Sequence, residues 1–240
     1  MVKNYVHRLR KEWSLDLVIA NVENLAGGAG VTERTVVEML DAGVDIMTSG
    51  NHIWDKRENL EKILTKYPVL RPANWQGVPG NYKLELEIKG KSVLVLNVCG
   101  QLFTQRISSP FTWLEKEREN FANYDNVFID VHAETTAEKL SIAYWLDGEV
   151  SCVVGTHTHV QTADERILPN GTAYISDLGM TGPVNSVIGV IPKGAIARFR
   201  YPMFSRYNVQ MRKPYVLSGL VVEFSGREAV WVKRVQIQES

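Results

Sequence analysis

The chain has 240 residues, 45% of them hydrophobic, which is enough for one large domain with a buried core or at most two small ones. The 27 basic and 27 acidic side chains balance, so the composition indicates no basic face for stable DNA binding. The longest apolar stretches, such as residues 92–98, are far shorter than the roughly 20 residues of a membrane-spanning helix. We therefore expect a single domain over residues 1–240 that does not enter a membrane.

The N-terminal region and the cysteines favour a cytoplasmic location. Residues 1–10 contain no apolar signal region. Cys99 and Cys152 are the two cysteines, lie in apolar runs and make no disulfide framework. Small buried thiols in a reducing compartment fit this pattern.

Helical and strand patterns alternate along the chain. Apolar residues at helical spacing predict an opening helix that ends near Ser14, followed by helices at about 32–42, 56–67, 113–123 and 137–146. Apolar or alternating runs predict strands at 15–20, 44–48, 82–88, 92–98, 126–131, 150–154, 173–176, 215–224 and 229–236. This order predicts an α/β layered sandwich with a mixed sheet.

Groups able to bind metal follow four of the predicted strands, each at the point where the strand ends. They are residues 21–24 (Asn-Val-Glu-Asn), residues 50–52 (Gly-Asn-His), His132 and residues 157–159 (His-Thr-His). Ligands in open α/β sheets bind beyond the carboxyl ends of strands. We therefore expect these four segments to converge on one crevice.

The residue types in this crevice indicate a catalytic metal site. Imidazole, carboxylate and amide oxygen suit iron, manganese or zinc, and the absence of thiolates argues against a closed structural zinc site. His157 and His159 would share a face if their segment is extended, with Thr158 turned away. Glu23 can bridge two ions about 3.5–4 Å apart, the separation that favours phosphoryl displacement. We expect a metal-bridging hydroxide as nucleophile and His52 as proton donor to the leaving oxygen.

Several of these residues also have ordinary structural interpretations. Alone, His132 could be a hydrogen-bonded structural histidine, Asn51 a turn residue and His52 a surface residue. Four acidic residues could orient imidazoles, as metal-bound histidines require: Asp55, Asp130, Glu134 and Asp164. For Glu134, a solvated charge is the default interpretation.

Two further features could bind parts of a nucleotide. The glycine-rich residues 27–30 could cradle phosphate, but they lack the Lys and Ser/Thr of a phosphate-binding loop, which favours a turn. Trp54, Trp75 and Tyr174 could stack on a base, although core packing is the more frequent role of such aromatics.

Longer motifs resemble the YmdB-type metallophosphoesterases, a bacterial branch of the calcineurin-like superfamily. The resemblance spans nearly the whole chain and rests on residues 21–24, 50–55 (Gly-Asn-His-Ile-Trp-Asp), 71–74 (Arg-Pro-Ala-Asn), 130–134 (Asp-Val-His-Ala-Glu), 155–165 and 177–183. It implies a layered α/β/β/α sandwich with mixed sheets, a di-iron or similarly occupied two-metal site, and activity on 2',3'-cyclic nucleotides or related phosphodiesters.

The resemblance also implies roles for individual residues. Glu23 would bridge both ions, and Asn24 and His159 would bind one of them. Three residues would bind the other ion: Asn51, His132 and His157. His52 would be the proton donor.

One family feature has no counterpart in this sequence. Members of the family begin with a strand that ends in a Gly-Asp-Val-Val-Gly type motif, whose Asp binds the first metal, whereas residue 1 falls within the helix that follows. The resemblance therefore leads us to expect a domain that lacks this first strand, through a misplaced start codon, a truncated gene product or a degenerate gene. Weak metal retention and low activity would follow.

Two other functions remain open for this sequence. One is a catalytically weakened nucleotide-binding or regulatory protein, which the missing strand favours, and the other is a phosphomonoesterase, because two-metal chemistry serves both ester classes. The expected partner is a small nucleotide or another phosphodiester. Apolar residues in the loop at 182–206 and just beyond suggest a homo-oligomer contact: Tyr201, Met203, Phe204 and Tyr207.

Overall fold

The computed structural model describes residues 1–102, 107–201 and 208–240. The helices of the described residues are α1 (Val2–Glu12), α2 (Glu33–Asp41), α3 (Leu60–Lys66), α4 (Pro110–Arg118), α5 (Thr136–Trp145) and α6 (Pro192–Arg200). The strands are β1 (Ile19–Asn21), β2 (Ile46–Thr48), β3 (Lys83–Ile88), β4 (Lys91–Cys99), β5 (Asn126–His132), β6 (Cys152–Thr156), β7 (Arg166–Ile167), β8 (Ala173–Ile175), β9 (Gly182–Pro183), β10 (Tyr215–Ser225) and β11 (Glu228–Glu239).

The central sheet has six strands in the order β3-β4-β5-β6-β8-β7. Strands β4, β5, β6 and β8 run parallel, and the edge strands β3 and β7 run antiparallel to their neighbours. The β3–β4 hairpin turns at Lys89 and Gly90, both with positive φ, which is typical of a two-residue turn. The parallel strands therefore end at one common edge of the sheet.

Two smaller sheets accompany this central sheet. Strands β1 and β2 form a parallel pair, and β9, β10 and β11 form an antiparallel sheet. Within the described residues, β1 pairs with β2 alone, so its other edge has no strand partner.

Four layers are stacked in the order helix, sheet, sheet, helix. Val36 of α2 and Met47 of β2 share one apolar cluster, which places α2 on the outer face of the small sheet. Ile46 of β2 and Val95 of β4 share a second cluster between the two sheets. On the far side, Ile142 of α5 packs in the cluster that holds the other face of the central sheet. The chain is thus an α/β/β/α sandwich, as predicted.

Among the described α-helices, α6 alone was not predicted from the sequence pattern. It lies in the segment interpreted as a Gly- and Pro-rich loop, and Pro192 stands in its first turn, a position where proline is well tolerated. Ala195 is its one buried residue, so no apolar stripe marks it. Met203, Phe204 and Tyr207, which were expected to form a subunit contact, lie outside the described residues.

No helix among the described residues combines the length and apolar character needed to cross a lipid bilayer. Both cysteines are buried and free. Burial raises the pKa of the Cys152 thiol to about 12, so this side chain acts as a small apolar group in the core.

Candidate metal centre

The four predicted segments meet at the carboxyl ends of the strands. Asn21 ends β1, His132 ends β5, and Thr156 ends β6 directly before His157. Strand β2 ends at Thr48 and leads through Gly50 into a short 3-10 helix, Asn51–Asp55. A Cβ on Gly50 would lie 2.3 Å from both Glu23 Oε2 and His132 Nε2, so only glycine allows this close approach.

The centre of the site is the Nε2 atom of His132. Three other atoms surround it: Glu23 Oε2 at 3.1 Å, Asn51 Oδ1 at 3.0 Å and His157 Nδ1 at 3.0 Å. His132 is 1% exposed and Glu23 2% exposed, so water cannot compensate their polar atoms. Glu23, His132 and His157 form a group that could hold a metal ion, with their ligand atoms within 4.8 Å of one another.

Hydrogen bonds at the opposite ring nitrogen fix the orientation of His132. The Thr156 hydroxyl donates to Asp130 Oδ1 at 2.7 Å, so its proton is not available to the ring. Nδ1 of His132, 2.9 Å from the same hydroxyl, must therefore carry the proton and donate it. This arrangement leaves the Nε2 lone pair directed at the cluster, as in metal-bound histidines.

His157 is held in the same way by a different partner. Its Nε2 lies 2.9 Å from Glu134 Oε2, which can only accept a proton, so the lone pair of Nδ1 faces His132. Burial and the neighbouring His132 lower the pKa of His157, which keeps the ring neutral. Glu134, for which a solvated charge was one interpretation, thus orients a histidine.

Acceptor atoms therefore crowd around a single point. Burial alone would raise the pKa of Glu23, but positive charge and a hydrogen bond at His132, together with the backbone N–H of His52, lower it to about 2, so a cation at this point keeps the carboxylate ionised. A proton on Nε2 of His132 satisfies only one of the three surrounding acceptors. Atoms about 2.1 Å from one ion lie roughly 3.0–3.4 Å from each other, which matches the three distances to His132 Nε2. The residues present fit a divalent ion.

Asn24 and His159 lie beside this cluster, next to Glu23. The Asn24 amide donates to Glu23 Oε1 at 3.1 Å and lies 3.2 Å from His159 Nε2. His159 Nδ1 donates to the carbonyl of Ile188 at 3.1 Å, so its Nε2 carries the lone pair and accepts from the Asn24 amide. Asn24 and His159 thus lie beside the Glu23 carboxylate, and the NH₂ group of Asn24 faces this carboxylate.

His52 lies at the rim, where its side chain is 45% exposed. Its Nδ1 is 2.8 Å from Asp55 Oδ2, a bond across one turn of the 3-10 helix. Its backbone N–H donates to Glu23 Oε2 at 3.2 Å and ties the 3-10 helix to the cluster. Asp55 therefore orients the ring, as expected, and the other ring nitrogen faces away from this bond.

The segment that carries His157 and His159 is not extended, which corrects the expectation from sequence. His157 has φ 105° and His159 has φ 67°, both in the left-handed region. Thr158 does turn away from the crevice, and its backbone N–H and hydroxyl both donate to Asp177 Oδ2, at 2.9 and 2.8 Å. This anchor holds a backbone conformation that is costly for non-glycine residues.

Asp177 is itself held by a buried lysine. Lys139 Nζ donates to Asp177 Oδ2 at 3.0 Å, and both side chains are at most 3% exposed. This pair was not predicted from the sequence. Its signal was a charged residue at 139 on the face of α5 that also buries Ile142 and Ala143.

The remaining candidates have structural partners. Asp164 accepts hydrogen bonds from Ser176 and contacts no histidine in any described bond, so it does not orient an imidazole. Tyr174 is fully buried, which excludes base stacking. Residues 27–30 form a turn in which three glycines have positive φ. Trp54 and Trp75 pack together, with ring centroids 5.5 Å apart, and line an apolar cavity of about 460 Å³.

A four-layer sandwich with such a cluster at the strand ends is the arrangement of calcineurin-like metallophosphoesterases. Part of a putative 5'-nucleotidase from Staphylococcus aureus has the same fold. It superimposes with a TM-score of 0.58 at 16% sequence identity, and the match covers 75% of this chain and 42% of that protein.

More similar proteins narrow the class. The family described as YmdB-like protein matches residues 1–235, and the chain belongs to this family. A 2',3'-cyclic-nucleotide 2'-phosphodiesterase of Bacillus subtilis is 40% identical over 243 aligned positions, which cover 100% of this chain and 92% of the relative. A hypothetical protein of Thermus thermophilus superimposes with a TM-score of 0.94 at 36% identity, covering 100% and 93% of the two chains. A phosphatase of Mycoplasma pneumoniae superimposes with a TM-score of 0.94 at 31% identity, and the match covers 99% of this chain and 87% of the phosphatase.

Proposed function

We propose that this protein is a metal-dependent phosphodiesterase that hydrolyses 2',3'-cyclic nucleotides. The observation that carries the proposal is the set of three acceptor atoms, from Glu23, Asn51 and His157, around Nε2 of His132. The name of the Bacillus subtilis relative supports the substrate class. The formal charge of zero is consistent with a small anionic substrate that is attracted locally by bound cations.

The proposed cofactor is a pair of divalent or mixed-valence ions. Glu23 would contact both, with His159 and Asn24 on one side and three residues on the other: Asn51, His132 and His157. Asn24 would bind through its amide oxygen, which requires the amide group to turn over. Iron suits this nitrogen and oxygen set, and manganese and zinc are the other ions that fit. When bound, such ions neutralise phosphate charge and lower the pKa of water.

His52 would supply the proton for the leaving ribose oxygen. It is exposed at the rim of the crevice, within reach of a bound substrate, and Asp55 holds its Nδ1. A protonated ring fixed in this way donates from Nε2, and such general acids contribute typically 10²–10⁴-fold to the rate.

A phosphomonoesterase is the second candidate. The Mycoplasma pneumoniae structure is described as a novel phosphatase, and a two-metal centre can serve monoesters and diesters alike. A weakened nucleotide-binding protein is the third candidate, because β1 pairs with β2 alone among the described strands.

Further properties belong to the same proposal. We assign residues 1–240 to one metallophosphoesterase domain, supported by the family match over residues 1–235. The two free, buried thiols support a reducing, cytoplasmic location.

The test compares two substrates with one enzyme preparation. Purified protein is supplied with Mn²⁺ or Fe²⁺ and given 2',3'-cyclic AMP or a nucleoside 3'-monophosphate, and the products are separated by chromatography. We expect hydrolysis of the cyclic diester at one ester bond and no further loss of phosphate. Preferred hydrolysis of the monoester would support the phosphatase instead. H132A should abolish turnover, whereas H7A should not, because His7 is exposed on α1 and bonds to the Asp41 carbonyl.

A further inference from the structure

The zero net charge of the chain hides an uneven distribution. Residues 178–222 contain six of the 27 basic residues and none of the 27 acidic ones. The rest of the chain therefore has six more acidic than basic side chains. A stretch of this kind attracts polyanions locally, even though the protein as a whole is neutral.

Part of this stretch lies beside the candidate metal centre. The carbonyl of Ile188 accepts from His159 Nδ1 at 3.1 Å. Gly189 and Ile191 then bond to the backbone of the strand-like segment at 208–210, and α6 begins at the next residue, Pro192. Helix α6 therefore starts four residues after Ile188, and its nine residues span about 13 Å. We call residues 188–201 and 208–212 the basic arm.

Basic and aromatic side chains alternate on the surface of the basic arm. Arg198, Phe199, Arg200 and Tyr201 are consecutive and exposed, with Phe199 86% and Tyr201 54% exposed. Lys193 is exposed in the first turn of α6. Exposed aromatics next to cations are the features by which proteins hold single-stranded nucleic acid, with bases stacked on rings and phosphates near cations.

The charge argues against the main alternative, which is contact with a second copy of this chain. Most homodimers place the same surface of both subunits against itself. Such a contact would bring two basic arms together without an acidic residue in either, and like charges would repel. A polyanion meets the same surface with opposite charge.

We propose that the basic arm binds single-stranded RNA whose 3' end carries a 2',3'-cyclic phosphate, and that it guides this end to the metal centre. The inference rests on the proposed function, because a cyclic phosphate of this kind requires a ribose 2'-hydroxyl and so belongs to RNA. Phosphates and bases upstream of the reacting end would lie along α6. The substrate class is then an RNA terminus as well as a free cyclic nucleotide.

The experiment compares kcat/KM for 2',3'-cyclic AMP with kcat/KM for an unstructured RNA of about eight nucleotides that ends in the cyclic phosphate. The variants are K193A/R200A and F199A, and the matched control is K3A/K11A, which removes two exposed lysines from α1. We expect the wild type to favour the RNA. K193A/R200A and F199A should each lower kcat/KM for the RNA about five-fold or more, through KM, and leave cyclic AMP hydrolysis unchanged.

A binding measurement gives a second readout. Fluorescence anisotropy follows the same RNA with a terminal 3'-phosphate over a range of salt concentrations. Each cation that contacts a phosphate contributes about 0.7 to the slope of log affinity against log salt, so K193A/R200A should reduce the slope by about 1.4. The control should not change it.

Four results would overturn the inference while the proposed function stands: no preference for RNA, an equal effect of the variants on both substrates, an equal effect of the control, or loss of a dimer in K193A/R200A by sedimentation. The opposite result is also distinguishable. If RNA binding depends on the basic arm but the protein does not hydrolyse cyclic AMP, the proposed function is contradicted and RNA binding by the basic arm is not.

Discussion

Nε2 of His132 and Nδ1 of His157 lie 3.0 Å apart, and each ring is hydrogen-bonded at its other nitrogen. Thr156 fixes one ring and Glu134 the other, so two lone pairs meet beside the Glu23 carboxylate. This juxtaposition is unfavourable without a positive charge between the rings. It is the physical reason to assign a cation to this site.

The Thr156 hydroxyl should set the affinity for that cation. T156V removes the acceptor for His132 Nδ1–H, so the ring is free to turn or to change tautomer. We expect metal affinity to fall about 10–100-fold, as for other residues that orient metal-bound histidines. Isothermal titration calorimetry with Mn²⁺ measures the change in metal affinity. T156S retains the hydroxyl and should restore most of the affinity; equal affinity in T156V and the wild type would exclude this role.

His52 should act in proton transfer and not in metal binding. H52N should lower kcat for a 2',3'-cyclic nucleotide about 10²–10⁴-fold with unchanged metal content. The effect should shrink for an aryl phosphodiester, because a nitrophenolate leaves without a proton. D55N should have a smaller effect of the same kind, since Asp55 only orients the ring. Parallel losses on both substrates would show that His52 has a different role.

The buried Lys139–Asp177 pair should matter for stability. K139M leaves the carboxylate of Asp177 buried without its cation, which costs about 3–5 kcal/mol in comparable pairs. K139M/D177N removes the uncompensated charge, so it should be more stable than K139M. Urea unfolding followed by circular dichroism measures the free energies. A K139M variant as stable as the wild type would mean that the pair contributes little.

The carboxylate of Glu33 links α2 to α3 in a pH-dependent way. Hydrogen bonds from Tyr67, Lys66 and Lys62 lower the pKa of Glu33 to about 2, below its ordinary 4.5. A depressed pKa in the folded state gives stability that is present above about pH 4.5 and is lost as the pH falls through 2. E33Q should therefore have a lower Tm than the wild type at pH 7, and the difference should narrow between pH 4.5 and 2. A constant difference in thermal unfolding over that range would contradict this linkage.

The fold could be predicted largely because strands and helices here carry clear periodic patterns. Thr32 accepts from the Thr35 backbone N–H at the start of α2, and this capping pair is readable from the two threonines three residues apart. Helix α6 was not predicted, because it buries only Ala195 and so has no apolar stripe. The left-handed φ angles of His157 and His159 could not be predicted for another reason. They depend on the contact of Thr158 with Asp177, which is distant in sequence.

The site was predictable as a set of segments but not as a network. One crevice is predicted at the strand ends, because parallel strands end at one edge of a sheet. The residues at these ends are Glu23, Asn51, His132 and His157. Thr156 could have been inferred only as the last residue of β6, since its role comes from the lateral pairing of β6 with β5. Lys139 required knowledge of which face of α5 is buried.

The most direct test of the account is metal content by elemental analysis, paired with 2',3'-cyclic nucleotide hydrolysis on the same chelator-free sample. The variants are E23Q, which removes the charge at the centre of the cluster, and E38Q, which removes an exposed carboxylate that pairs only with Arg34 among the described ion pairs. We expect at least one iron, manganese or zinc ion per chain and turnover in the wild type and in E38Q, and loss of both in E23Q. Equal metal content and turnover in E23Q and the wild type would contradict the assignment of this cluster as the catalytic metal centre.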